Sequence, residues 1–194
     1  MQVTLIRHSR TAGNAQYRYI GRTDEALSED GVRLAQQAGT AADAEKVYVS
    51  PLIRTGQTAA VLFPNAVQIV ADDLREMDFG DFEGRNFSEM ETDAAYRAWV
   101  DGGCLAPCPN GESREEFSQR VCAAFENILA DAVRHGEESL VFVIHGGTIM
   151  AIMEKFALSK RDYYAWSVGN CRGYRCEAKT EPLALTVLGT WGGD

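Results

Sequence analysis

Short apolar runs alternate with segments of helical spacing along most of the chain. The runs are rich in large apolar residues and are bounded by polar or turn-forming residues, which indicates β-strands. The predicted strands are Gln2–Arg7, Lys46–Val49, Val67–Val70 and Ser139–Ile144. Two later extended stretches, Gly173–Ala178 and Leu183–Leu188, are expected to form an antiparallel edge.

Helix-start signals accompany several of the intervening segments. Ser50 and Pro51 supply an N-cap serine and a proline at the first helical position. Ser113 and Glu116 form a capping box that opens a long helix. The predicted helices span Ser28–Ala42, Ser50 to about Leu62, Ser88–Val100, Ser113 to about Arg134, and roughly Thr148–Leu158.

The order of these elements predicts an α/β fold. Strands that alternate with helices favour a three-layer sandwich, with a mostly parallel central sheet and helices on both faces. We expect residues 1–194 to form a single domain, because this length suits one hydrophobic core. Residues 74–110 are rich in glycine, acidic and aromatic residues, and are expected to form a cap-like insertion.

Three apolar runs end on residues suited to phosphate chemistry. Ligands of such sheets bind outside the carboxyl ends of the strands. The first run ends at Arg7-His8, the second leads through Ser50 to Arg54, and a later one ends at His145, followed by Gly146-Gly147. We therefore expect these residues to meet at one edge of the sheet.

Composition and charge narrow the range of functions. The formal net charge of -9 argues against a nucleic-acid partner, because binding to a phosphate backbone needs a basic face. The amino-terminal apolar run is too short for a signal peptide, and no apolar stretch is long enough to span a membrane. An anionic small-molecule substrate remains possible, provided that the positive charge of its site is local.

The five cysteines do not have the spacing of a metal site. Two close pairs occur, but neither has a second ligand pair or a nearby histidine that would make a zinc site. We expect reduced structural thiols in a cytoplasmic protein.

A histidine beside a fixed cation suits attack on a phosphate. His8 could accept a phosphoryl group and so divide hydrolysis into two easier steps, with Arg7 and Arg54 stabilising the charge on the transferred group. His145 could donate to the phosphoryl oxygens, and Glu76 could protonate the leaving alkoxide and then activate water.

Each of these residues also has an ordinary structural interpretation when it is considered alone. Arg54 could be a solvated helix residue, His145 a satisfied buried histidine, and Glu76 a surface carboxylate. The remaining histidine, His135, is expected in an exposed turn after a helix. Only the joint pattern favours a catalytic site.

Four motifs resemble those of the histidine phosphatase superfamily and occur in the same order along the chain. This superfamily is also called phosphoglycerate mutase-like. The motifs are residues 7–14 (RHSRTAGN), residues 50–59 (SPLIRTGQTA), the acidic loop with Glu76, Gly80 and Glu83-Gly84, and residues 145–147 (HGG). The resemblance runs from Gln2 to about Leu158, which is most of the chain.

This resemblance implies roles for individual residues. It implies His8 as the phosphorylated residue, Glu76 as the proton donor, and Arg7, Arg54 and His145 as the phosphate pocket. It implies substrate or supporting contacts from Thr11, Asn14, Gly21 and Gly146. Neither a metal nor a cofactor is implied.

One departure from the family pattern concerns the residue after the nucleophile, which is usually glycine. This chain has Ser9 there, and a side chain is unfavourable if the backbone has positive φ or lies against a neighbour. Because serine is small, we expect local adjustment and not loss of activity. A His8 ring turned away from Arg54 and His145 would contradict that expectation.

Residues 21–31 are similar to the alpha-ribazole phosphatase and broad-specificity phosphatase branch, although Ala26 stands where proline is common. The family's mutases are longer, with a lysine after the acidic loop and paired arginines after a tryptophan. Here residues 84–87 read GRNF, and Val100-Asp101 follow Trp99. Asp101 is expected to repel the anion that a mutase must retain.

The sequence therefore favours a phosphomonoester hydrolase that forms a phosphohistidine on a small phosphorylated metabolite, such as a sugar phosphate or alpha-ribazole phosphate. A phosphoglycerate mutase is the alternative, and a non-catalytic protein that binds a phosphorylated ligand is a third hypothesis. The aromatic residues of the 74–110 segment could stack on substrate or simply pack together. The sequence does not indicate an oligomeric state.

Overall fold

Six strands form one sheet in the computed structural model, which describes residues 1–39 and 44–192. The strands are β1 (Gln2–Arg7), β2 (Lys46–Val49), β3 (Val67–Val70), β4 (Ser139–Ile144), β5 (Gly173–Thr180) and β6 (Leu183–Trp191). Their order across the sheet is β3-β2-β4-β1-β5-β6. The pairs among β1 to β4 are parallel, and β5 is antiparallel to both of its neighbours.

Six α-helices accompany the sheet among the described residues. They are α1 (Ala12–Ala15), α2 (Glu29–Gln37), α3 (Ile53–Leu62), α4 (Ala94–Asp101), α5 (Arg114–Arg134) and α6 (Gly146–Phe156). Short 3-10 helices occur at Asp72–Leu74, Gly80–Phe82 and Tyr163–Trp166.

The sheet buries apolar side chains on both faces. On β1, Leu5 belongs to one core cluster and Ile6 to the other, because successive side chains of a strand point to opposite faces. One cluster includes Phe125 of α5, and the other includes Leu62 of α3. The predicted three-layer α/β sandwich is confirmed.

The register of the parallel strands positions the functional edge. Arg7 of β1 lies opposite Ile144 of β4, and Val49 of β2 lies opposite Val143. The residues that follow these strands therefore emerge side by side at the carboxyl edge of the sheet.

Helix boundaries differ from the sequence prediction at several places. α3 begins at Ile53 and not at Ser50, and its N-cap residue Leu52 makes no side-chain cap hydrogen bond. The Ser50 hydroxyl instead accepts a hydrogen bond from the Leu52 N–H at 3.2 Å within a preceding turn. The prediction of Ser50 as the N-cap was therefore wrong.

The α4 prediction was wrong in a similar way, because the helix starts at Ala94 after the capping residue Asp93 and not at Ser88. α6 begins at Gly146, slightly earlier than predicted. The end predicted for α2 lies partly outside the described residues, at positions 40–42. The capping box that opens α5 is confirmed.

The predicted antiparallel edge is also confirmed, although β5 and β6 extend further than the sequence indicated. Of the helices that the structure describes, none combines the length and apolar character needed to cross a membrane.

Candidate active site

The two predicted site histidines lie side by side at the carboxyl edge of the sheet. His8 follows β1 and His145 follows β4, and both are almost completely buried. Their ring centroids are 5.1 Å apart with an edge-to-face arrangement. The pairing of β1 with β4 thus brings together two residues that are far apart in the sequence.

The tautomer of His8 is set by a backbone carbonyl. His8 Nδ1 lies 2.6 Å from the carbonyl oxygen of Ser9, and since a carbonyl can only accept, Nδ1 carries the hydrogen. Burial lowers the pKa of His8 well below its usual value, and the charges of Arg54 and Arg7 lower it further. His8 is therefore a neutral imidazole whose Nε2 has a free lone pair for nucleophilic attack.

His145 is bonded at one ring nitrogen and unpaired at the other. Its Nε2 lies 2.7 Å from the Ser50 hydroxyl oxygen, whereas its buried Nδ1 has no hydrogen-bond partner among the described residues. Burial lowers the pKa of His145 well below its usual value, and Arg54 adds to this effect. Nδ1 is thus available to a ligand.

Arg54 is fully buried in the first turn of α3. Its Nη1 donates to the carbonyl of Thr23 and its Nη2 to the carbonyl of Gly21, both at 2.8 Å. These contacts fix the guanidinium plane, but the buried Nε has no partner among the described residues.

Arg7 resembles Arg54 in this respect. Its Nη1 donates to the Val168 carbonyl at 2.7 Å, and its buried Nε is also without a partner in the described part of the chain. Buried polar nitrogens are nearly always hydrogen-bonded in proteins. Unpaired nitrogens on Arg7, Arg54 and His145, three residues grouped around His8, are therefore suited to an anion.

Glu76 is held beside this group by two backbone N–H groups. Its carboxylate accepts from Gly147 at 2.9 Å and from Met77 at 3.0 Å. Burial nevertheless raises the pKa of Glu76, although both hydrogen bonds and both arginines oppose the shift. A carboxyl with a raised pKa retains its proton at higher pH, as a proton donor requires.

Gly147 is required at its position by this contact. A Cβ atom there would clash with the Glu76 carboxylate. At the neighbouring Gly146, a Cβ would lie 3.3 Å from Arg7 Nε. Glycine at both positions lets the backbone approach the charged side chains closely.

Asn14 lines the site, and Thr11 supports it. The Thr11 hydroxyl accepts the Asn14 N–H at 3.2 Å as the cap of α1, and is not exposed to the cavity. Asn170, which the sequence analysis did not identify, donates to Asn14 Oδ1 at 3.3 Å and to the His8 carbonyl at 3.0 Å. No motif in the sequence pointed to Asn170, because it lies in the loop before β5.

Gly21 acts on the site indirectly. Its N–H donates to Glu83, its carbonyl accepts from Arg54, and a Cβ atom there would clash with the Met77 carbonyl. Gly21 therefore joins the Arg54 side chain to the acidic loop, and it does not line the cavity.

Ser9 fits its position well. Its hydroxyl donates to the Gly31 carbonyl at 2.6 Å, and its N–H donates to Thr58 Oγ1 at 2.8 Å. Its φ is not positive, and the His8 ring still faces His145. The backbone strain that a positive φ would cause is therefore absent at Ser9. The serine side chain also has a hydrogen-bond partner in α2.

A cavity of about 480 Å³ opens onto this edge of the sheet. The predicted residues that line it are Arg7, His8, Asn14, Glu76 and Gly146, whereas Arg54, His145, Thr11 and Gly21 lie behind the lining. The lining residues that the sequence analysis missed include Tyr19, Arg114, Met150, Tyr163 and Tyr164. They come from four separate segments, so spacing along the chain could not group them.

The aromatic residues of the 74–110 segment divide between two positions. Phe79, Tyr96 and Trp99 line the cavity, whereas Phe82 is buried behind Tyr96 at a centroid distance of 5.4 Å. Phe87 is mostly exposed. Packing is thus observed for Phe82, Tyr96 and Trp99, and stacking on a substrate stays a prediction for the members that line the cavity.

No group of three or more histidine, cysteine, aspartate and glutamate side chains within residues 1–39 and 44–192 is arranged to hold a metal ion. All five cysteines are free thiols.

Comparisons with known proteins agree with this geometry. The family model described as histidine phosphatase superfamily (branch 1) matches residues 3–189. A Hydrogenobacter thermophilus protein named "Putative phosphoserine phosphatase 2" is 32% identical over 156 residues, which cover 77% of this chain and 75% of the relative.

Solved structures show the same fold. The alpha-ribazole phosphatase from Shigella flexneri superimposes with a TM-score of 0.81 at 25% identity, over 97% of this chain and 96% of that chain. The phosphoglycerate mutase from Bacillus anthracis gives a TM-score of 0.80 at 22% identity, over 100% and 93%.

Proposed function

Because this chain belongs to the histidine phosphatase superfamily (branch 1), we propose that it hydrolyses phosphomonoesters through a phosphohistidine. The relatives that match it bear the names of phosphatases and of phosphoglycerate mutases. The observation that carries this proposal is the state of His8. Its Nδ1 is fixed as a donor to Ser9, so Nε2 is a free nucleophile beside three unpaired nitrogens.

In the first step His8 Nε2 attacks phosphorus. The new P–N bond forms as the P–O bond to the alcohol breaks, and Glu76 transfers its proton to the departing oxygen. The transferred group carries charge on three oxygens, which the guanidinium groups of Arg7 and Arg54 and the Nδ1–H of His145 stabilise.

In the second step water attacks the phosphohistidine. Glu76, now a carboxylate, takes a proton from that water as the P–N bond breaks and phosphate leaves. His8 returns to its neutral state, so each turnover restores both groups. In this scheme fixed cations and donors stabilise the transferred phosphoryl group, and no metal is needed.

The substrate is proposed to be a small phosphorylated metabolite. A cavity of about 480 Å³ suits a sugar phosphate or an alcohol of the alpha-ribazole type. Residues 74–110 act in this proposal as a cap within a single domain, because Phe79, Tyr96 and Trp99 contribute to the cavity lining. Free cysteines accord with the reducing cytoplasm as the place of action.

Trapping of the intermediate tests the proposal. Wild-type protein mixed briefly with ³²P-labelled substrate and quenched in alkali should retain label in an acid-labile bond, and His8→Ala should retain none. His135→Ala is the matched control, since that histidine is exposed at the end of α5 and does not line the cavity. Full hydrolysis of p-nitrophenyl phosphate by His8→Ala would remove His8 from the mechanism.

Mutase activity is the second candidate, because curated relatives bearing the name phosphoglycerate mutase also match this chain. A mutase must hold a bisphosphorylated intermediate while it reorients, which requires several cations beyond the phosphate pocket. Asp101 is exposed and does not line the cavity, so its predicted repulsion has no support in its position.

Assays of phosphoglycerate interconversion with and without 2,3-bisphosphoglycerate separate the two reactions. Phosphate release without interconversion is expected. Rapid interconversion that depends on 2,3-bisphosphoglycerate would establish the mutase instead. Binding of phosphorylated ligands with no turnover would favour the third hypothesis, a non-catalytic binding protein.

A further inference from the structure

Arg114 presents a cation to the cavity from a different element than the phosphate pocket. It is the first residue of α5 and lines the cavity together with Tyr163 and Tyr164. Its guanidinium carbon lies 4.9 Å from the centroid of the Tyr163 ring, so the side chain is stacked on an aromatic face. This contact restricts the orientation of the guanidinium group.

Tyr163 connects Arg114 to the reacting region. The Tyr163 hydroxyl donates to the Gly147 carbonyl at 3.3 Å, and the Gly147 N–H donates to Glu76 at 2.9 Å. One tyrosine side chain therefore separates Arg114 from the neighbourhood of the proposed proton donor. Arg114 and His8 line the same cavity.

Arg114 lacks the carboxylate partner that Arg18 has in the same cavity. Arg18 is neutralised by Glu89, with two nitrogen–oxygen distances of 2.7 Å. Arg7 interacts electrostatically with Glu76. Within the described part of the chain, Arg114 forms no ion pair with a carboxylate.

The cavity lining contains more arginines than carboxylates, although the whole chain has a formal net charge of -9. Glu76 is the only carboxylate among the residues that line the cavity in the described structure, and it is occupied by backbone donors. The positive charge of Arg114 is therefore available to a ligand. A planar guanidinium can donate two parallel hydrogen bonds to a carboxylate.

On the basis of the proposed phosphatase function, we propose that Arg114 binds a carboxylate on the alcohol part of the substrate. The substrates are then phosphomonoesters of small hydroxy acids, in preference to neutral sugar phosphates. Stacking on Tyr163 leaves the edge of the guanidinium to donate, and the neighbouring Tyr164 side chain interacts with it without neutralising its charge.

Pairs of substrates that differ by a single carboxylate test this assignment. Phosphoserine is compared with phosphoethanolamine, and 3-phosphoglycerate with glycerol 3-phosphate. Wild-type protein should have the higher kcat/KM for the acidic member of each pair. In Arg114→Gln, the ratio of kcat/KM values within a pair should fall at least about tenfold, because a charged hydrogen bond is lost.

Arg114→Lys should restore part of the ratio, since lysine keeps the charge but loses the bidentate geometry. Arg175→Gln is the matched control. Its guanidinium is likewise stacked on an aromatic ring, 5.1 Å from the Trp191 centroid, and Arg175 does not line the cavity. The ratio should not change in that variant.

An equal loss of kcat/KM for both members of each pair in Arg114→Gln would overturn the assignment and leave Arg114 a structural role. Calorimetric binding of the same pairs to His8→Ala, with and without Arg114→Gln, keeps the test independent of turnover. A carboxylate preference that Arg114→Gln removes would support the assignment even if wild-type protein hydrolysed none of these compounds. Absence of hydrolysis of these compounds by wild-type protein would count only against the proposed hydrolase.

Discussion

The hydroxyl oxygen of Ser50 lies 2.7 Å from Nε2 of His145, inside the protein and behind the cavity wall. Ser50 Oγ accepts the Leu52 N–H and lies 3.2 Å from Thr55 Oγ1, and we assign its own hydrogen to the contact with His145. A neutral imidazole that accepts at Nε2 carries its hydrogen on Nδ1, the ring nitrogen left unpaired. We therefore propose that Ser50 is a positioning residue, which holds His145 with Nδ1–H directed toward the proposed phosphate pocket.

Replacement of Ser50 by alanine should allow the neutral His145 imidazole to adopt either tautomer. Loss of one buried hydrogen bond is expected to lower kcat by about threefold to tenfold. The ¹⁵N chemical shifts of His145 should show hydrogen on Nδ1 in wild-type protein and a mixture of tautomers in Ser50→Ala. The control is Ser139→Ala, at the exposed beginning of the adjacent strand. An unchanged His145 tautomer in Ser50→Ala would contradict the assignment.

The role of Glu76 can be tested through the leaving group. Glu76→Gln should lower kcat/KM for alkyl phosphates by about 10²- to 10⁴-fold, because an alkoxide must be protonated as it departs. p-Nitrophenyl phosphate should lose much less, since nitrophenolate leaves without a proton.

The pH profile gives a second measure of the same residue. Because burial raises the pKa of Glu76, the alkaline fall in kcat/KM for alkyl phosphates should lie above the usual range of carboxyl titration. This limb should vanish in Glu76→Gln. Equal losses for both substrate types would show that Glu76 acts otherwise than as a proton donor.

The sequence predicted the parts of the site that depend on strand order. His8 and His145 follow two apolar runs, and the parallel pairing of those runs in the sheet makes the two residues neighbours. The start of α3 was mispredicted because the serine that resembled a cap is bonded to His145, a contact between residues distant in the sequence. Local rules contain no information about such a partner.

The outer wall of the cavity was also beyond prediction. Tyr19, Arg114 and Tyr163 come from separate loops and helix starts, and only tertiary packing brings them to one cavity. A tyrosine or arginine in a loop has many possible environments, so its type and position give no signal. Substrate selectivity is therefore less visible in this sequence than the chemistry of phosphoryl transfer.

We expect the Ser9 side chain to stabilise the folded protein. Ser9→Gly removes the hydroxyl that donates to the Gly31 carbonyl, and it also increases the flexibility of the unfolded chain. We expect the free energy of unfolding to fall by about 1–3 kcal/mol, as measured by urea denaturation. Ser9→Ala separates the hydrogen bond from the backbone effect. A Ser9→Gly protein as stable as wild type would mean that serine makes no favourable contact here.

The buried histidines should make folding stability depend on pH. Burial depresses the folded-state pKa of His8 and His145 below the value of 6.5, so the unfolded chain takes up protons that the folded chain does not. The folded state is therefore most stable with respect to these two groups above pH 6.5. This stability is lost progressively as the pH falls from that value toward the lower pKa of the folded state. Each histidine should lower the free energy of unfolding by up to about 1.4 kcal/mol per pH unit below this point.

Urea denaturation at several pH values between about 7.5 and 5.5 measures this slope. His8→Asn and His145→Asn should each flatten it more than the control variant His135→Asn, which changes an exposed histidine. The raised pKa of Glu76 acts in the opposite direction, because a carboxyl that binds a proton in the folded state adds stability at lower pH. Glu76 is present in all three variants, so differences between their slopes report the histidines. Equal slopes in all three would show that folding does not change the pKa of His8 or His145, which would contradict the lowered pKa assigned to both.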